Sequence, residues 1–299
     1  MEIRLDQHSN HLEHLFEETD VYALNIPEIQ DESKKGDKGK RRQPYKERVS
    51  PRNYARSLAK RFDTDFVINR VVVKHSYREH EKWLLDTQEE FGIRNVILVG
   101  GERSEDVYPG PSVSEGNRFV KHFLNRGRFR YTEEDTAPTH FNVGNICIPT
   151  RRRKDLDEPE RMFRKQQAGA DFFTTQIIAE AEHPISLLRD YSEILQDEDL
   201  SPPRIYWSFS PVSSKKDIDF LRWLGVYIPE RTENLIFGSS DPVATSLDLA
   251  QTVWEKILDF NRQLPLSIPM GINISVMGLR NFENGVRLAK ELKMAGVPD

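Results

Sequence analysis

This chain has almost no cysteine, no long apolar run and no excess of positive charge. A single cysteine, Cys147, stands among 299 residues, so no internal disulfide framework supports the fold, and a lone thiol fits a reducing compartment. No apolar stretch approaches the roughly 18 residues that a membrane span requires, and no membrane partner is expected. The opening residues MEIRLDQHSN carry no signal-peptide hydrophobic segment, which makes a cytoplasmic location the expectation. With 43 Lys and Arg against 48 Asp and Glu, the net charge is −5; nucleic acid is not an expected partner, and a small ligand is. A nucleophile elbow, a Walker loop, a Cys pair and the GxGxxG fingerprint are all missing, so a nicotinamide dinucleotide has to be held without a Rossmann turn. No metal is expected either. His8, His11 and His14 recur every three residues, a spacing that does not gather all three on one ion.

What is present is an alternation. Eight β-rich runs (2–5, 21–26, 66–73, 95–99, 141–148, 171–176, 204–209 and 268–274) are separated by amphipathic stretches such as 51–62, 77–91, 115–124, 159–168, 184–196, 215–224 and 242–263. Strands alternating with helices of this length imply βαβ units and a parallel sheet. Eight such units make an α/β fold of the (β/α)8 TIM-barrel type, one domain over 1–299, the expected architecture. Ser50 before Pro51 reads as a helix start. The segment 31–48, DESKKGDKGKRRQPYKER, departs from this pattern: its dense charge cannot bury enough apolar surface to order it, and a mobile excursion is expected. Its eight Lys or Arg suit a solvated loop, the commoner use of such runs, or the attraction of a polyanion such as dinucleotide phosphates or a polyglutamyl tail.

In a barrel the C-terminal strand ends carry the chemistry. Glu28, Arg70, Glu102, Arg152 and Gln176 lie at or just beyond such ends, and Glu2 lies in the first run. Carboxylates, guanidinium groups and an amide can orient a heteroaromatic ring and supply a proton, although each one alone is as readily a surface pair or a loop cap. After the run NVILV, Gly100 and Gly101 would let backbone pass close to a flat ring or a phosphate, and equally well make an ordinary βα turn. In YPGPSVSE, Ser112 or Ser114 reads as a helix N-cap, structural or phosphate-holding. The stretch AGADFFTTQ reads as a helix stop at Gly169, then a buried strand ending in Gln176.

Three segments, FGIRNVILVGGE, EPERMFRKQQAGADFFTTQ and IYWSFSPVSS, resemble the methylenetetrahydrofolate reductase family, and the likeness runs over most of the chain. The resemblance implies reduction of 5,10-methylenetetrahydrofolate to 5-methyltetrahydrofolate by NAD(P)H through FAD. It places Glu2 as the proton donor, Glu102 as the carboxylate beside the flavin that also contacts folate, and Gln176 as a folate contact. Lys215 falls where the family stacks a Phe. Glu158 and Lys165 fall on the grip of the FAD ribose and phosphates. Among the other cofactor positions, Gly100, with Gly101 beside it, replaces an Arg, Arg70 replaces a His, Ile148 replaces a Tyr, and Arg152 lies near another His position. These departures leave open a divergent flavoenzyme, slightly favoured because Lys165 and Glu158 are retained, and a flavin-free reductase. A non-redox folate-binding subunit that presents a one-carbon carrier to a partner is the remaining alternative. The implied partners are a reduced folate and a nicotinamide dinucleotide, with homo-oligomerisation open.

Overall fold

The computed structural model describes residues 5–28, 49–101, 108–132, 136–151 and 156–294, with the backbone alone for residues 5–9. The regular elements are α1 (Leu5–Glu18), β1 (Ala23–Ile26), α2 (Pro51–Ala59), β2 (Asp65–Val71), α3 (Tyr77–Glu89), β3 (Asn95–Val99), α4 (Val113–Arg118), β4 (Asn142–Cys147), α5 (Glu158–Gln167), β5 (Phe172–Ile177), α6 (Glu182–Asp197), β6 (Arg204–Phe209), α7 (Lys215–Trp223), α8 (Glu230–Gly238), α9 (Pro242–Arg262), β7 (Met270–Ile274) and α10 (Phe282–Met294). The strand order follows the chain, β1 to β7, and the strands are parallel wherever their register is defined. Seven strands in an α/β fold agree in kind with the expected barrel; an eighth is not among the described residues. The run 2–5, expected as the first strand, is corrected at its described end, because Leu5 opens α1. The charged segment 31–48 lies outside the described residues.

The chain forms two compact units, one of residues 21–146 and 164–172, the other of residues 1–20, 147–163 and 173–299. In the first, local signals set the helices. Ser76 caps α3 and Ser112 caps α4, each accepting the backbone N–H of a Glu three residues on, whose carboxylate reaches back. That reciprocal box gives Ser112 its structural role. Ser50 stands at the α2 N-cap with Pro51 behind it, but its hydroxyl accepts no cap bond. Gly92 and Gly169 both take positive φ (68° and 107°), so each helix ahead of them stops where a side chain would be strained. Gly144 serves another end: a Cβ there would sit 2.3 Å from the Phe172 ring, so its absence lets that ring lie across β4.

Two buried polar groups on α3 illustrate how this unit pairs such groups. Glu81, fully buried on α3, accepts the backbone N–H groups of Arg130 and Tyr131 and the Thr132 hydroxyl at 2.7 to 2.8 Å. His80, beside it, donates from Nε2 to the Val72 carbonyl at 2.6 Å. Burial lowers its pKa from 6.5 to about 4. As pH falls from about 6.5 towards 4, the unfolded chain takes up a proton that the folded state does not bind until the lower value. We expect this contribution to be complete above pH 6.5 and progressively lost below it, and the matching slope in urea midpoints to be flatter in a His80→Gln variant.

The second unit is built on aromatic burial. Trp207, Trp254, Tyr191, Phe173 and Phe209 are almost wholly buried. Edge-to-face contacts join Phe209 to Trp254 and Phe173 to Tyr191, both at 6.2 Å between centroids. Ion pairs from Lys290 to Glu18 and from Lys293 to Asp20 tie α10 to the end of α1 and the residue pair after it. On α1, His11 and His14 both face Glu283 of α10. Among the described residues no group of three His, Cys, Asp or Glu could hold a metal, and no helix is long and apolar enough to cross a membrane.

Candidate functional site

Strand alternation gives the sheet of the first unit two faces with different chemistry. Val96, Leu98 and Val143 pack with Leu84, Phe119 and Val120 under the helices. The register then sets their neighbours: Arg70 pairs with Leu98, and Leu98 with Asn145, so Arg70 and Asn145 share the helix-covered face. Asn69 pairs with Ile97, and Ile97 with Gly144, on the other face, while Asn25 pairs with Val67 two residues earlier on the same face as Asn69.

The asparagines on the two faces are treated differently. On the helix side Asn145 is fully buried and spent: its amide donates to the Leu98 and Gly144 carbonyls and to Asn117, whose own amide donates to Asn145 at 2.7 Å and to the Lys165 carbonyl. On the other side Asn25 and Asn69 are half-buried as residues, yet the Oδ1 atom of each is buried and meets no donor among the described residues. A buried acceptor without a donor costs roughly 1–3 kcal/mol, so two on one face mark a surface set up for a donor from elsewhere.

The residues singled out from the sequence fall in several places. Arg70 is 7% exposed and lies on the helix side, its guanidinium 4.7 Å from the centre of the Trp83 ring and its Nη1 3.4 Å from Glu28. Burial lowers its pKa, opposed by the Glu28 carboxylate. Glu28 also accepts the Val71 N–H at 2.8 Å, so this carboxylate clamps the ends of β1 and β2. Gly100 and Gly101 follow β3, and the space over Gly101 is taken by the Tyr108 ring, 2.3 Å from where a Cβ would stand. Lys165, on α5, donates to the Ile146 carbonyl at 2.7 Å.

In the second unit Glu158 is fully buried and accepts the Ile148 N–H at 3.1 Å and an Arg151 guanidinium N–H at 3.0 Å, closing the turn after β4. Gln176 is half-buried near the end of β5 and donates to the Leu224 carbonyl at 3.2 Å, which leaves its oxygen for another partner. A polar run crosses the neighbouring strands: the Asn273 amide donates to the Ser208 hydroxyl, which donates to the Thr175 carbonyl. Lys215 is exposed at the first position of α7, its ammonium 5.8 Å from the centre of the Phe237 ring. Glu2, Glu102 and Arg152 lie outside the described residues.

This arrangement of parallel strands and helices has counterparts among solved structures. The first is an uncharacterized protein from Clostridium thermocellum that binds two copies of 5-methyl-5,6,7,8-tetrahydrofolic acid; it is 21% identical, the match covers 99% of this chain and 91% of that one, and the TM-score is 0.75. EDTA monooxygenase from Chelativorans sp. BNC1 is 8% identical, with 99% and 88% of the two chains covered and a TM-score of 0.53. A riboflavin lyase, solved with a modified FMN and its substrate riboflavin, is 10% identical, with 99% and 86% covered and a TM-score of 0.52. At these identities the likeness is one of fold. No family model matches the chain, and no curated protein matches it.

Proposed function

We propose that this protein, acting as one functional domain over 1–299, binds a reduced folate and reduces 5,10-methylenetetrahydrofolate to 5-methyltetrahydrofolate with a reduced nicotinamide as hydride source. The observation that carries the reading is the pair of unpartnered acceptors, Asn25 and Asn69, on a half-buried strand face. The amino-pyrimidinone edge of a reduced pterin presents N–H donors that such acceptors would take up. The chain's fold likeness to a protein that binds 5-methyltetrahydrofolic acid supports the ligand class. Gln176, whose oxygen is uncommitted among the described residues, and Glu102 remain candidate folate contacts from the family resemblance. The reduction itself needs a proton on the bridging nitrogen to open the ring and a hydride on the methylene carbon.

FAD, implied by the family resemblance, would supply hydride from its reduced ring when bound. The described residues that the resemblance assigns to it each have another neighbour. Lys165 is bonded to a backbone carbonyl, Glu158 is buried against Arg151, Arg70 lies under Trp83 and Tyr108 covers Gly101. The flavin-free reductase is therefore the preferred form of the proposal. The same commitments favour, as a second reading, a folate-binding protein without redox activity.

Titration of the purified protein with 5-methyltetrahydrofolate, followed by an NAD(P)H oxidation assay with 5,10-methylenetetrahydrofolate, separates these readings. Saturable binding with turnover supports the reductase, and saturable binding without turnover supports the carrier. Absence of binding removes both, and yellow protein with flavin absorption bands reverses the preference for a flavin-free site.

A further inference from the structure

Three guanidinium groups and two aromatic rings alternate in a ladder that links β2, α3 and α2. The Arg70 guanidinium lies 4.7 Å from the centre of the Trp83 ring, and that of Arg52 lies 4.8 Å from the same ring. Arg52 is also 4.9 Å from the centre of the Phe91 ring, just after α3, and Arg56 closes the series at 3.8 Å from that ring. All five residues belong to the first compact unit. Cation–ring contact ties the helices together, and Arg52 Nη1 adds bonds to the Trp83 carbonyl at 3.1 Å and the Thr87 hydroxyl at 3.2 Å.

Stacking uses the face of a guanidinium and leaves the N–H groups on its edge to find acceptors. Two of these edges stay open. The Nε atoms of Arg52 and Arg70 are both buried and meet no acceptor among the described residues, and Arg70 as a whole is only 7% exposed. The neighbouring carboxylates are engaged elsewhere. Glu28 accepts the Val71 N–H and reaches Arg70 only through Nη1, at 3.4 Å; Glu90 faces Arg56 at 3.6 Å and Asp86 faces Lys82 at 3.4 Å. Glu79 is spent on the cap at Ser76. Arg52 thus has no bonded carboxylate among the described residues. Burial lowers the pKa of both arginines, and the charge of Arg52 adds to the lowering at Arg70 against the pull of Glu28. A water molecule satisfies an N–H but leaves the charge uncompensated, whereas an oxyanion does both.

We propose that Arg52 and Arg70 form an oxyanion site beside the Trp83 ring, taking a phosphate group that is either free or carried by a nucleotide. The site lies on the helix-covered face, opposite the asparagine pair, and stands whether or not the folate reading holds. Each Nε–H donates to a separate oxygen of one tetrahedral anion, and the anion's charge offsets that of two buried cations. Arg56, exposed and paired with Glu90, completes the ladder without contributing to the site.

Calorimetric titration of the whole protein with sodium phosphate, at an ionic strength held constant with chloride, tests the site. Wild type should show one saturable event. Arg52→Gln should weaken it by about 10–100-fold, the loss expected for one charge-assisted hydrogen bond. Arg70→Gln should do the same where its urea curve shows a folded protein, whereas Arg56→Gln should stay within about threefold of wild type. Trp83→Phe keeps a ring for both cations and should still bind, but it should lose the change in tryptophan fluorescence that phosphate causes in wild type. A parallel titration with ADP assigns the source: binding tighter than that of phosphate supports a nucleotide, and equal or weaker binding supports the free ion. If neither phosphate nor ADP binds wild type saturably, water alone meets the two edges and the proposal is overturned. Undiminished binding by folded Arg52→Gln overturns it as well, because the anion then sits elsewhere.

Discussion

Replacing Asn25 and Asn69 together by Leu should lower affinity for 5-methyltetrahydrofolate by about 100-fold while leaving the protein as stable as before or slightly more so. Each substitution removes an amide oxygen that is buried without a donor among the described residues, so no hydrogen bond to a described residue is given up and an unsatisfied acceptor is removed. The ligand loses one acceptor at each position, and a hydrogen bond at a buried site is worth roughly 1.5 kcal/mol, or about tenfold in Kd. Leu has the same heavy-atom branching as Asn, its two methyls standing where the amide oxygen and nitrogen stood, and both positions are half-buried, so steric cost is small. Isothermal titration and thermal melts check the two halves of the expectation. Unchanged affinity in a stable double variant would move the folate site off this face, and a large drop in Tm would show that the two amides serve the fold.

A contrasting result is expected at Glu81, where Glu81→Ala should cost about 3–5 kcal/mol of stability. Three donors, the Arg130 and Tyr131 N–H groups and the Thr132 hydroxyl, converge on this one fully buried carboxylate. Truncation leaves them without an acceptor in a place water does not reach freely, and it adds a cavity on α3. A loss of this size is a large share of the roughly 5–15 kcal/mol by which a domain is stable, so the urea midpoint should fall sharply. Glu81→Gln keeps an acceptor oxygen and the side-chain volume and should lose less than half as much. A midpoint within error of wild type for Glu81→Ala would mean that the 130–132 backbone is satisfied by solvent.

How the sequence foreshadowed these features depends on which physical signal each one leaves. The strand runs 95–99 and 204–209 coincide with β3 and β6, because a buried β-rich run bounded by turn residues leaves a short-range trace. Gly169 could be read as a helix stop for the same reason, and its positive φ agrees. At the N-terminus apolar spacing was misleading. The brief alternation at 2–5 suggests a strand, whereas Leu5 already belongs to α1, whose His11 and His14 face Glu283 of α10. The helices α8 and α10 were not among the runs read as helical.

Side-chain roles were harder to read, since they depend on which face of a strand a residue occupies. Arg70 and Asn69 are adjacent, and only the register with β3 shows that Arg70 lies under Trp83 while Asn69 faces away from the helices. Counting parity back from Ile68 would have placed Asn69 with Val67 on the opposite face, a signal available in the sequence but weak without knowing which face the helices cover.

The space beneath Phe172 has a consequence for variation. Because the ring occupies the volume a side chain at residue 144 would need, the two positions are mutually exclusive in bulk. In a saturation library selected for folded protein, alanine at 144 should survive chiefly alongside a smaller residue at 172, and the rescue should be absent when either change is made alone. Such reciprocal suppression would identify this pair as a coupled unit, and free assortment of the two positions would show that the backbone of β4 yields instead.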